Sequence, residues 1–362
     1  ILEEIEVTEG ASVRWVKGRY GQGKTHLFGR IVDLASERNW VSSYVVVSGP
    51  REGTDLSRFD EILSAIHKNI SVSSFETSGR PAESGNSGWR VLLQRWYERI
   101  LKRSGATRSG DIPTLRVTEV IGASILKMQS EDSVAGSFLE ALREYALACL
   151  SRDLEWQNVL LQWFQCEDVH SRGGAVRARL REAGIRESIK RQNAKENLRY
   201  LTCFLSHLGY GGLLIQMDEV ENVLRYTPKA RHGAYTILRE LIDNVDGRFG
   251  MKSTCLYAAG TPDLFESENG IAEYEALAER VLLDDNRANP FAPVVDLDRQ
   301  ALTEDNYVEM GDKIVGVYGL ATGQEPSPNV GISKLFDDLE DPAINPRLWA
   351  RTVVAELDAA RV

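Results

Sequence analysis

Lys24 and Thr25 close the run Gly18-Arg-Tyr-Gly-Gln-Gly23-Lys24-Thr25, a full match to GxxxxGK[ST]. The chemistry of that spacing is phosphate binding. Gly18, Gly21 and Gly23 let the backbone curl so that successive N–H groups surround a β-phosphate, the Lys24 ammonium neutralises β and γ oxygens, and the Thr25 hydroxyl reaches for Mg²⁺. Tyr20 and Gln22 complete the loop. His26 follows in the first helical turn and is expected beside the nucleotide and packed against the sheet. The glycines follow GxxGxG rather than the GxGxxG of dinucleotide sites, which disfavours a Rossmann cofactor.

A second element carries carboxylates. Leu213-Leu-Ile-Gln-Met-Asp218-Glu219 reads as an apolar strand ending in two acids, interrupted only by Gln216. Asp218 is expected to hold Mg²⁺ through water and Glu219 to polarise the attacking water, with Glu221 the next candidate base. Taken locally, a helix N-cap followed by a first-turn acid also fits these residues. The strand Leu256-Tyr-Ala-Ala-Gly-Thr261 ends at a polar side chain, a placement that resembles AAA+ P-loop ATPases and so implies contact with the γ-phosphate or the lytic water, although Thr-Pro also starts turns. No [NT]KxD guanine-reading motif occurs, so ATP is favoured over GTP.

These residues need strands to carry them. Ser12–Lys17, Val41–Ser48, Leu213–Met217, Thr254–Ala259 and Val294–Leu297 have strand character, and the segments between them are helical. The expected fold is α/β: a five-stranded parallel sheet with flanking helices, the P-loop helix running to about Arg38. Ala194, Leu198, Leu201, Leu205 and Leu208 share one helical face. About 160 residues with little strand signal separate Pro50 from Gly211, too many for one crossover helix. The reading is therefore a core begun by residues 1–50 and completed by 211–298, a mostly helical insertion over 51–210, and a C-terminal helical lid over 299–362. The Ser/Gly-rich stretch Ser71–Gly88 is expected to be a mobile loop.

The 362 residues carry 43 basic and 53 acidic side chains, a net charge of −10, which argues against coating nucleic acid through bulk charge. No apolar run approaches the roughly 20 residues of a membrane span. Four scattered cysteines without CxxC or metal-ligand spacing read as thiols in a reducing, cytoplasmic compartment. The chain starts at Ile1 without Met, so trimming is expected and a lost signal stays open.

The order of parts, from phosphate loop through acidic strand and polar-ended strand to a helical C-terminus, resembles AAA+ P-loop ATPases. That resemblance implies two arginines. Arg280, ending an expected helix Ile271–Leu283, would be a finger reaching a neighbouring subunit's γ-phosphate, and Arg347 would read the phosphate in cis at the start of the last helix. Either could instead be a surface ion-pair residue. The phrases Gly18–Leu27, Gly209–Glu219, Ala259-Gly-Thr-Pro-Asp-Leu-Phe265, Tyr274–Arg280 and Asn345-Pro-Arg347 together resemble the ATP-binding proteins of BREX-type bacterial phage-defence systems, the BrxD-like group. This implies an ATPase, assembled with copies of itself, working beside a helicase or DNA-modification subunit.

Nucleic acid is a further expected partner. Arg172, Arg177, Arg179, Arg181, Arg186, Lys190, Arg191, Lys195 and Arg199 face only Glu182, Glu187 and Glu196 in sequence. Arg186, Lys190, Arg191, Lys195 and Arg199 form the expected phosphate-backbone contact; a solvated helix face is the alternative. Trp89 and Trp96, flanked by Arg90, Arg95, Arg99, Lys102 and Arg103, are read as buried rather than as stacking platforms. Three function classes follow: an ATP-hydrolysing remodelling subunit, a slow nucleotide switch acting as a scaffold, and a DNA-binding module whose ATP site stabilises the fold. Glu219 favours the first, because a pure switch need not keep a water-activating carboxylate.

Overall fold

The computed structural model describes residues 1–49, 52–72, 88–105, 114–243, 251–282, 293–299, 302–323, 331–337 and 345–360. Six strands form one sheet: β1 (Ala11–Lys17), β2 (Val41–Val46), β3 (Ile70–Val72), β4 (Leu213–Asp218), β5 (Thr254–Gly260) and β6 (Val294–Asp296), in the order β3-β2-β4-β5-β1-β6. Five of them are mutually parallel, as their sequences predict, and β4 is buried along its whole length. Parallel strands covered on both faces read as continuous apolar runs for this reason.

The sixth strand corrects the expected count. Ile70-Ser-Val72 pairs antiparallel with β2, Val41 opposite Val72 and Ser43 opposite Ile70. Three residues are too short for an alternating pattern to show. The expected helix Ile271–Leu283 is also revised: a 3-10 turn, Ile271–Glu273, precedes a helix over Glu275–Val281, and Tyr274 at ψ 87° separates them. Of the stretch read as a mobile loop, residues 73–87 lie outside the described residues.

The helix Lys24–Glu37 follows the phosphate loop, pressing Phe28 and Ala35 on the sheet. Gln216, which breaks the apolar run of β4, is buried and donates from Nε2 to the Phe28 carbonyl at 2.8 Å. It thus fixes the loop's helix to the acidic strand. A buried amide with that partner is satisfied rather than costly.

Between β2 and β4 lie seven described helices, from Phe59–Lys68 to Ala194–His207. Their apolar faces share one hydrophobic cluster with the sheet. Trp89 is buried and stacks on Phe164 at 4.7 Å and on Phe204 at 6.1 Å; Trp96, also buried, donates to Ser124 Oγ at 3.2 Å. Both tryptophans are core residues, as expected. Ala194, Leu198, Leu201, Leu205 and Leu208 are all buried.

Helices Glu304–Thr322, Ile332–Asp337 and Pro346–Ala359 build a second core around Tyr307, Ile332 and Trp349. The Trp349 indole donates to the Tyr307 carbonyl at 2.7 Å. Gly311 permits this packing, since a Cβ there would lie 2.4 Å from Ile332 Cγ2. Among the described residues, no helix is long and apolar enough to cross a membrane.

Candidate functional site

The phosphate loop joins β1 to its helix with Gly21 at φ 87° and Gly23 at φ 94°, left-handed conformations that glycine adopts without steric cost. Asp298 accepts from the Arg19 backbone N–H at 3.2 Å, and Gly18 N–H donates to the Gly260 carbonyl at 3.2 Å. The loop is therefore tied to both neighbours of β1. Lys24 is buried, its ammonium turned back onto the carbonyls of Gly18 at 2.7 Å and Arg19 at 3.3 Å. Burial pushes the Lys24 pKa down, opposed by the carboxylates of Glu221, Asp218 and Asp298. These two bonds are ones that phosphate oxygens can replace.

The acidic strand ends directly opposite. Thr25 Oγ1 donates to Asp218 Oδ2 at 3.1 Å, and the Tyr44 hydroxyl on β2 donates to the same oxygen at 2.7 Å. Asp218 Oδ1 accepts from the Glu219 N–H at 2.9 Å. Burial, then the bond to Asp218, raises the Tyr44 pKa, so its hydroxyl stays a donor. A hydroxyl and a carboxylate in hydrogen-bond contact are oxygen ligands of the kind Mg²⁺ takes, usually beside phosphate and water. Thr25 and Asp218 therefore fit the metal expected of them. Among the described residues no group of three or more His, Cys, Asp or Glu side chains gathers to hold a metal by itself.

Glu219 is exposed and sits at φ 57°, an uncommon conformation for a residue with a Cβ. Its Oε2 accepts from Asn222 Nδ2 at 3.3 Å, while that same amide reaches the Val47 carbonyl at 2.9 Å. Glu221, two residues on, is buried.

A cleft of about 1000 Å³ opens between this constellation and the C-terminal helices. Tyr20, Gly21, Gln22, Gly23, Lys24, Thr25, His26, Asp218, Glu219 and Arg347 all line it, so ten of the residues expected to act together do share one cleft. His26 is a correction: it is exposed on the cleft instead of lying on the sheet. With Lys24 and Phe28 turned inward one helical turn apart, a residue two positions after Lys24 must face away. Arg347 N–H donates to the Gly21 carbonyl at 3.2 Å, seating the last helix on the loop. The facing wall is mostly apolar, with Met310, Ile314, Val317, Tyr318, Ala350 and Val354 beside Asn306, Glu309 and Lys313. A purine base and its phosphates would find matching halves here.

A family model described as BREX system ATP-binding protein BrxC/D matches residues 2–353. The chain belongs to this family. No curated protein and no solved structure matches it.

For a BREX-system ATP-binding protein, the expected residues outside the cleft need separate placement. Thr261 is buried at the end of β5, beside the loop that Gly260 anchors, but it does not line the cleft. Arg280 lies away from it too, in a two-pronged ion pair with Asp243 that raises its pKa further. Of the basic segment, Lys195 pairs with Glu240 at 2.7 Å, and Arg199 donates to the carbonyls of Asp132 and Ser133 at 2.6 and 2.8 Å. Arg172 and Arg179 pair with Glu167 and Asp153. Arg186, Lys190 and Arg191 are exposed, with no side-chain partner among the described residues. Sequence reasoning missed Tyr44 and the bond from Arg347 N–H to Gly21; neighbouring-strand register would point to Tyr44 only once β2 was known to flank β4.

Proposed function

We propose that this chain is an ATP-hydrolysing, AAA+-like P-loop subunit of a bacterial anti-phage defence system, acting in the cytoplasm. In this reading residues 1–50 and 211–298 form the ATPase core, 51–210 a helical insertion, and 299–362 a lid. The observation that carries it is the meeting of Lys24, Thr25, Asp218 and Glu219 at one end of a cleft whose other wall is mostly apolar. β5 lies between the loop strand β1 and the acidic strand β4, which sets Thr261 between loop and carboxylates.

The roles follow from chemistry. Gly18, Gly21 and Gly23 present backbone N–H groups to the phosphates, and Lys24 exchanges its carbonyl bonds for β and γ oxygens. Tyr20, Gln22, His26 and Arg347 line the nucleotide, with Arg347 reading phosphate in cis from the lid. Thr25 and Asp218 would hold Mg²⁺, which when bound would offset phosphate charge. Glu219, exposed to the cleft, takes the proton of the attacking water as its oxygen bonds to the γ-phosphorus and ADP departs. Thr261 supports that water from the end of β5. Arg280 leaves Asp243 to reach the γ-phosphate of an adjoining copy, so activity requires a homo-oligomer.

ATP turnover is coupled to a defence-system helicase or modification subunit, or to DNA, through the insertion. The switch and structural-ATP readings are weaker, because neither uses a carboxylate facing the cleft beside the phosphate loop. The test is binding and assembly together. Lys24→Ala should stay folded and lose ATP affinity, while Arg280→Ala should keep affinity and lose turnover. Mixed oligomers of the two should regain part of the activity. Unchanged ATP binding in Lys24→Ala would overturn the site.

A further inference from the structure

We propose that Glu221 orients the attacking water of this site, accepting one of its O–H groups while Glu219 accepts the proton that leaves. The proposal rests on the ATPase reading above and adds a second carboxylate to it.

Glu221 is 7% exposed, lines the cleft, and has no hydrogen-bond partner for either carboxylate oxygen among the described residues. The chain geometry puts it there. Glu219, at φ 57°, ends β4 with its side chain outward, and the 3-10 turn Val220–Arg225 then carries the next acid back beneath the sheet edge. A Cβ built on Gly260 would lie 3.5 Å from Glu221 Oε2, ordinary van der Waals contact, which puts the carboxylate beside the end of β5. The carboxylate thus sits at the junction of loop, acidic strand and polar-ended strand.

An ionised carboxylate is an acceptor with about four lone-pair sites, and burying it without donors is strongly unfavourable. Burial raises the Glu221 pKa, opposed by its own backbone N–H and by Lys24 and Tyr20. The Lys24 ammonium is committed to the loop carbonyls and turns to phosphate oxygens when nucleotide arrives. Tyr20 is 63% exposed, so solvent and nucleotide compete with Glu221 for its hydroxyl. What the pocket then lacks is a small molecule that donates and can sit beside a γ-phosphate. Water meets both requirements.

The water oxygen forms a bond to the γ-phosphorus, the bond from that phosphorus to the bridging oxygen breaks with its electron pair passing to ADP, and the leaving proton goes to Glu219. Glu221 takes no proton. It fixes the second O–H, so that a lone pair of the water points at phosphorus.

The test separates ground state from transition state. ADP with beryllium fluoride imitates bound ATP, whereas ADP with planar aluminium fluoride also requires the oriented water. Wild type should trap both. Glu221→Gln keeps the side chain's size but offers an amide donor in place of one acceptor. It should bind ADP and trap beryllium fluoride within about twofold of wild type, with aluminium fluoride trapping and kcat reduced about 100-fold and KM little changed, the scale of one misplaced group in a reacting site. Glu221→Asp, which restores the carboxylate, should recover part of the aluminium fluoride trapping. Equal aluminium fluoride trapping in wild type and Glu221→Gln overturns the proposal. So does loss of ADP binding in both variants, which would make Glu221 a folding residue. Failure of wild type to trap either fluoride would instead bring down the ATPase reading itself.

Discussion

Gly21→Ala should detach the last helix from the phosphate loop. Gly21 sits at φ 87°, and an added Cβ would lie 2.6 Å from Asn345 Oδ1 and 3.0 Å from Arg347 Cβ. The first neighbour cannot swing aside freely, because the same Oδ1 accepts from Leu348 N–H at 3.0 Å and caps the helix Pro346–Ala359. Left-handed backbone at a non-glycine residue costs about 1 to 2 kcal/mol, and losing an Asn cap adds about 1 kcal/mol. The sum, about 2 to 3 kcal/mol, corresponds to about a 30- to 150-fold loss of ATP affinity if binding needs the loop and helix together. Titration with a fluorescent ATP analogue measures it, with a melting curve as the control for folding. In an Asn345→Gly background, where the cap is already gone at a cost of a few tenths of a kcal/mol, Gly21→Ala should cost only its backbone part. Wild-type affinity in Gly21→Ala, or an identical loss in both backgrounds, refutes the contact's importance.

Three further outcomes are expected. Gln216→Leu should lower stability by about 1 kcal/mol in denaturant unfolding, since it removes the buried bond to the Phe28 carbonyl; an unchanged midpoint would make that bond irrelevant. His67 is buried, its Nδ1 bonded to the Phe164 carbonyl at 2.7 Å, and burial lowers its pKa to about 4. The unfolded chain therefore takes up this proton first, so stability is intact above about pH 6.5 and falls toward pH 4 by up to about 3 kcal/mol. His67→Phe should flatten that pH slope, and an equally steep slope would contradict the assignment. Finally, Arg186→Glu with Arg191→Glu should reduce the salt slope of DNA binding by about two without shifting Tm, because each lost phosphate contact removes about one. An unaltered slope would make this segment a solvated face.

The sequence made the parallel strands and the phosphate and acidic motifs legible because each is local: a glycine spacing, an apolar run, a terminal carboxylate. What it hid depends on other elements. Tyr44 and Gln216 acquire their roles across strand and helix packing, where register and not neighbourhood decides the partner. Glu219 and Glu221 look alike in sequence, yet one left-handed residue sends the first outward and the second inward. The basic segment looked uniform, but Lys195 and Arg199 serve Glu240 and a helix end, leaving Arg186, Lys190 and Arg191 to solvent among the described residues. Asn345 and Arg347 were visible as a helix start, but their seat on Gly21 spans more than 300 residues of chain.

Hydrolysis of ATP by this BREX-family chain with Glu219 as the base is read out by phosphate release at saturating Mg-ATP. The assay compares wild type with Glu219→Gln across protein concentration, with and without DNA. Wild type should turn over, with specific activity rising as the protein assembles. Glu219→Gln should retain bound ATP while releasing phosphate about 100-fold or more slowly, the scale of a lost general base. Equal phosphate release by the two proteins, or none from wild type under any of these conditions, would contradict the account.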